Sequence, residues 1–203
     1  MRKVCLFLLS ILIVMQTYSQ SRSVDRQPFA AGKFYPADKE TLKNDLSKLF
    51  EECVKPSSKN KVRAIITPHA GYVYSGKIAA SAFSQIDRDA TYRNIFIIGS
   101  SHIMAFDGAS AYGDGDFITP LGKLTVNKDI TAKLKSENKV FDFPVTAHIQ
   151  EHSLEVQMPF IQYYFRNDMP IVPIIIGANN TATIKKLAAI LKPYFTPDNL
   201  FVI

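Results

Sequence analysis

What this 203-residue chain has little of narrows its class before any motif is read. Glycine and proline are sparse, at 9 and 11 residues, and 47% of the chain is hydrophobic against 21% charged, which excludes the fibrous and disordered classes. Cysteine occurs twice. Cys5 lies in an N-terminal segment that reads as an export signal, so Cys53 is alone in the mature chain and an intrachain disulfide is excluded even in an oxidising compartment. Cys53 falls on the apolar side of a predicted helix and reads as a small buried hydrophobe. No apolar run approaches the ~20 residues needed to span a bilayer. The formal charge of +6 falls to +4 without Arg2 and Lys3, and the lysines are scattered over predicted helix faces. Without a basic stripe interleaved with aromatics, a nucleic-acid footprint is excluded.

What is present begins with "MRK", then the short apolar run "VCLFLLSILIVM", then "QTYSQ". A charged start, an apolar middle and small residues at Thr17 and Ser19 predict a secretory signal over residues 1–19, with Gln20 first in the mature chain. The expectation is an exported protein, periplasmic or extracellular, whose residues 20–203 form a single domain with no stable membrane span after cleavage.

"DKETLKNDLSKLFEEC" places Leu42, Leu46, Leu49, Phe50 and Cys53 at helical spacing, with Asp38 or Thr41 as the cap. After the loop "KPSSKNK", the run "VRAIIT" predicts a strand covered on both faces. "GKIAASAFSQI" reads as a helix, "RNIFIIGSSH" as a second buried strand, and "DFITPLGKLTV" as a hairpin turned by Pro and Gly. A helix near 127–137 follows, then one starting near Glu151 or Ser153 with Leu154, Met158, Ile161 and Phe165 on one side. The strand "IVPIII", the helix "TATIKKLAAILKPYF" and a strand pattern at "LFVI" complete the order. Alternating strands and helices predict an α/β layered domain with a central, largely parallel or mixed sheet flanked by helices. The last strand pattern reaches Ile203 with no polar residue after it, which reads as a C-terminally truncated chain.

Ligands in open α/β sheets bind beyond the carboxyl ends of the strands. His69 and His102 each stand just past such an end, so neighbouring strands would aim both imidazoles into one crevice. Two neutral imidazoles completed by a carboxylate, thiolate or water suit iron, zinc or copper. A histidine at a strand end also serves as a hydrogen-bonded structural residue. Further along, "AHIQEHSLEVQMPF" holds His148, Glu151, His152 and Glu155, and residues 148–152 spell H-x-x-E-H. That motif presents two histidines to zinc only when all five residues are helical. Pro144, Val145 and Thr146 just upstream argue that the helix starts later. Glu151 and Glu155 then read as a first-turn cap and an exposed carboxylate. His152 stays open between structure and function, and Tyr72 and Tyr74 between pocket walls and loop packing.

The blocks "RQPFAAGKFYPAD", "TPHAGYVYSG", "IFIIGSSH", "EHSLEVQMPF" and "NLFVI" resemble, in order, those of the Memo-like family, known in bacteria as AmmeMemoRadiSam system protein B. The resemblance runs from about Arg26 to Ile203. It implies a fold similar to the class III extradiol ring-cleaving dioxygenases, with a non-haem metal at strand ends. His69 and His102 match the family's metal ligands. His152 and Glu155 match the E-H-S-x-E block that lines the same pocket and are the catalytic candidates. His148 matches a histidine common in bacterial members, and Phe34 and Tyr35 occupy aromatic positions at the pocket mouth, with Tyr72 beside them. In the family the strand matching "NLFVI" leads into a segment whose Asp and His complete the pocket, with a further ligand, often cysteine, later still. Members are usually described as intracellular.

Four functional expectations follow. The first is a metal-dependent redox or dioxygenase-like protein using a divalent ion, iron(II) first and copper or zinc as alternatives. The second is a non-catalytic module binding a small molecule or peptide in the same pocket. The others are an H-x-x-E-H zinc hydrolase, which needs a continuous helix from His148, and a fragment without function.

Overall fold

The computed structural model describes residues 24–56, 60–177 and 180–203; the segment expected to be an export signal lies outside them. Helix α1 (Lys39–Glu51) starts at Asp38, whose Oδ1 accepts the Thr41 N–H at 2.8 Å, and it buries Leu42 and Leu46 completely. Strand β1 (Ala64–Ile65) leads into helix α2 (Tyr72–Phe83), then β2 (Asn94–Ser100) and β3 (Ala109–Ala111). The predicted hairpin forms from β4 (Phe117–Thr119) and β5 (Gly122–Leu124), with Gly122 at φ +130°, a conformation that favours glycine. Helix α3 (Lys128–Glu137) is capped by Asn127, whose side chain accepts the Ile130 N–H at 3.0 Å. Helix α4 (Met158–Tyr164), strand β6 (Ile171–Ile176), helix α5 (Thr181–Leu191) and strand β7 (Asn199–Val202) follow.

The main sheet has the order β1-β7-β2-β6-β3, parallel except for β3, which runs antiparallel to β6. Its side chains divide by the period of two. Ile95, Ile97, Ile171, Ile175, Leu200 and Val202 pack into one cluster with residues of α1, α2 and α4. Phe96, Val172, Ile174 and Phe201 pack into another with Leu134 of α3 and Leu187 and Leu191 of α5. Each fully buried side chain of this size contributes roughly 1.5–3 kcal/mol. The expected α/β layered architecture is therefore present, and Cys53 is a free, buried thiol against the Phe50 carbonyl.

Three elements differ from the sequence reading. Only Ala64 and Ile65 of the run 62–67 join the ladder, and Ile66 is 82% exposed, because β1 is an edge strand. Helix α2 begins at Tyr72 rather than near 76, since the Tyr74 and Ser75 N–H groups both find the Gly71 carbonyl. Helix α4 begins at Met158, after a single 3-10 turn at Glu155–Gln157, and not near Glu151 or Ser153. Pro159 sits in the first turn, where its missing N–H costs nothing.

Candidate metal centre

The strands carrying His69 and His102 are not neighbours: β7 lies between β1 and β2. The two loops still converge over its carboxyl end, with ring centroids 5.1 Å apart. His152 comes from the irregular segment between the turn at Val145–His148 and α4, and its ring lies 4.5 Å from that of His102 and 5.7 Å from that of His69. One ligand atom from each of the three falls within 4.8 Å of the others. Two nitrogens bonded to one ion at ~2.1 Å can stand no more than about 4.2 Å apart. The trio lies near that limit.

The loop holding His152 is pressed onto the sheet. Ser153 Oγ donates to the Ser100 carbonyl at 3.1 Å, at the end of β2. A Cβ placed on Gly99 would overlap Ser153 Oγ and stand 2.9 Å from Leu154 Cδ2, so the approach depends on glycine there. Gln157 Nε2 donates to the Pro68 carbonyl at 2.9 Å, fixing the backbone next to His69. Phe34 stacks on His152, centroids 4.4 Å apart and planes at 30°.

Glu151 lies beneath the histidines with its side chain 1% exposed. Its Oε2 accepts the His102 backbone N–H at 2.6 Å, and its Oε1 accepts the Ser153 N–H at 2.9 Å and contacts His102 Nδ1 at 2.9 Å. Burial alone would raise its pKa, but the backbone N–H groups of His102 and Ser153 and the His102 ring carry it below the ordinary value. Burial lowers the pKa of His69, helped by the nearby His102, and lowers that of His152 despite Glu151. Both rings are held toward the neutral form that offers a lone pair.

On the side of His69 and His152 opens a depression of about 760 Å³, lined by these two residues with Phe34, Ile66, Pro68 and Tyr74. Tyr35 and Tyr72 face elsewhere. They line a separate depression of about 360 Å³ against α1, which Phe34 also borders. Tyr72 is buried with its hydroxyl on the Val156 carbonyl at 2.9 Å.

Against this geometry the sequence matches can be placed. A model of the Memo-like protein family matches residues 26–203. The chain belongs to the Memo-like family. It is 37% identical over 165 residues to a MEMO1 family protein of Thermococcus onnurineus, covering 80% of this chain and 56% of that protein. It is 37% identical over 155 residues to one of Pyrococcus abyssi, 75% and 53% of the two chains, and 34% identical over 173 residues to one of Methanobrevibacter smithii, 81% and 61%. The chain spans little more than half the length of these Memo-like relatives.

Of the residues expected at the site, the structure brings together His69, His102 and His152, with Phe34 against them. It sets others apart. Glu155 is fully buried and ion-paired to Arg26; its oxygens also accept the Phe29 and Ala30 N–H groups at 3.0 and 2.8 Å and the Tyr35 hydroxyl at 2.5 Å. His148 is turned away, its Nε2 on the Ser110 carbonyl at 3.0 Å, and burial pushes its pKa down to about 3. It ends a 3-10 turn and no helix joins it to His152, so the H-x-x-E-H zinc geometry does not form. The residue the sequence reading missed is Glu151, taken as a helix cap. Its signal was its place next to His152, ahead of a helix that starts seven residues later.

Proposed function

We propose that this Memo-like chain holds one divalent metal ion on His69, His102 and His152, and that the site serves metal-dependent redox chemistry of a dioxygenase-like kind. The observation that carries the reading is the convergence of three imidazoles from three separate segments on one point beside an open, largely apolar depression. The donor set fits: neutral imidazoles suit iron, copper and zinc, and the open side leaves room for water or a ligand atom. Iron(II) is put first on the strength of the family resemblance. When bound, such an ion supplies Lewis acidity and, for iron or copper, one-electron redox chemistry.

The chain's own residues have distinct parts. His69, His102 and His152 offer lone pairs, Glu151 balances the charge of a cation from below, and Phe34, Ile66 and Tyr74 offer an apolar bed to whatever approaches. This assignment makes His152 a donor, where the family resemblance had it as a catalytic candidate lining the pocket. The apolar bed also favours a second reading, a non-catalytic module that binds an apolar group of a small molecule or peptide.

An anaerobic iron(II) titration of the chain and of His69→Ala, His102→Ala and His152→Ala, repeated with zinc and copper, tests the proposal. One ion per chain is expected, lost in each variant, with copper and zinc tighter than iron as the Irving–Williams order requires. Absence of saturable binding by the folded chain would leave the ligand-binding module as the better reading. Export is proposed from residues 1–19, and N-terminal sequencing of the protein recovered outside the cytoplasm checks it.

A further inference from the structure

Glu151 meets the histidines asymmetrically. An ionised carboxylate can only accept hydrogen bonds, so the 2.9 Å contact to His102 Nδ1 requires that nitrogen to carry the proton. The same carboxylate takes the His102 backbone N–H through its other oxygen, so ring and backbone of one residue are clamped by one side chain. His152 Nδ1 stands 3.5 Å from Oε1, an oxygen that already has His102 Nδ1 and the Ser153 N–H. His152 is held instead by the stacked ring of Phe34.

We propose that Glu151 is the positioning residue of the histidine trio: it locks His102 in the tautomer protonated on Nδ1, which leaves Nε2 as the nitrogen free to bind a metal, and leaves the tautomer of His152 unset. Carboxylates that accept the second N–H of a metal-binding imidazole fix its orientation and raise its basicity in this way. The inference rests on the metal reading for its purpose but not for its geometry. Among the described residues, the basic side chains in contact with the Glu151 carboxylate are both histidines, which makes its charge answerable to whatever the trio holds. Glutamine at this position keeps the size but presents N–H to one of the donors that Glu151 accepts, so it cannot satisfy them all.

The test has two parts, both on the full chain. Two-bond nitrogen-proton correlation spectra of the metal-free wild type, in mildly alkaline buffer and assigned by the signals lost in His102→Ala, report the tautomers directly. His102 is expected as the Nδ1–H form, the one that a free imidazole side chain disfavours in water, and Glu151→Gln is expected to release it toward a mixture. A wild-type His102 mainly in the Nε2–H form overturns the proposal without any variant having to fold. In the second part, zinc affinity is expected to fall about 10- to 100-fold in Glu151→Gln. An unchanged affinity in a wild type that binds one ion overturns the positioning role and leaves the metal reading standing. The Nδ1–H form in a wild type that binds no metal supports the tautomer lock and overturns the metal reading instead.

Discussion

Glu151 and Glu155 stand one helical turn apart in sequence, and both side chains are almost wholly out of solvent. Around Glu155 the structure is closed: a permanent cation, two backbone N–H groups and a phenol occupy its oxygens. The same Arg26 donates to the carbonyls of His148 at 3.1 Å and Glu151 at 2.7 Å, so this pair fastens the N-terminal segment to the histidine loop. The Glu151 carboxylate has no lysine or arginine partner among the described residues, only backbone N–H groups and imidazoles. A buried carboxylate costs several kcal/mol unless it is compensated. At Glu155 the compensation is built in, and at Glu151 part of it is left to groups that can change. Burial therefore separates function from scaffold less well than the permanence of the counter-charge.

The comparison breaks first, and hardest, at Glu155. Glu155→Ala leaves Arg26 buried without its partner and is expected to cost about 3–5 kcal/mol in urea unfolding. Glu151→Gln, which removes a charge held by hydrogen bonds alone, is expected to cost about 1.5–3 kcal/mol by the same measurement. Equal costs would erase the distinction between the two. A pH-dependent effect sharpens it from the acid side. His148 has its pKa lowered from 6.5 to about 3, so between those values the unfolded chain binds a proton that the native ring refuses. Stability is therefore complete above pH 6.5 and falls with pH below it, by about 1.4 kcal/mol per pH unit for that one group. His69 and His152, also lowered, add to the slope in the same direction. The loss begins above the ordinary carboxylate range, and the Glu151 carboxyl is held below it, so the loss precedes protonation of Glu151; His148→Gln is expected to remove its share in pH-dependent unfolding. The smallest effect is at Phe34, where alanine removes the stack on His152 and is expected to cost about 0.5–1.5 kcal/mol beyond the area lost. Phe34→Ala should loosen His152 without changing the His102 tautomer.

The strand ends were legible because a buried strand declares itself as an apolar run and the first polar residues after it mark the crevice. His69 and His102 were found that way. That β7 separates their strands was not legible, since pairing order is set by packing across the whole sheet and not by either strand. Helix α2 was seen but started late, because Gly71 accepts its first N–H groups without announcing a cap in its side chain. Glu151 and Glu155 were read together as residues of one helix turn. Once the start moved to Met158, their environments parted, and only the tertiary approach of Arg26 and His102 decides which is which. The resemblance grouped His152 with the strand-end pair, beside which its ring lies, and it carried His148 along, whose ring is buried on the Ser110 carbonyl.

Gly99 has no side chain to contribute to any chemistry, yet the histidine loop rests against it with no room for a methyl group. His102 and His152 are thus registered to one another by steric contact between a strand and a loop some fifty residues apart along the chain. A site of this kind cannot be moved by grafting its three histidines onto another sheet. It travels only as a fitted pair of surfaces, and a redesign has to keep a position that a search for reactive groups passes over.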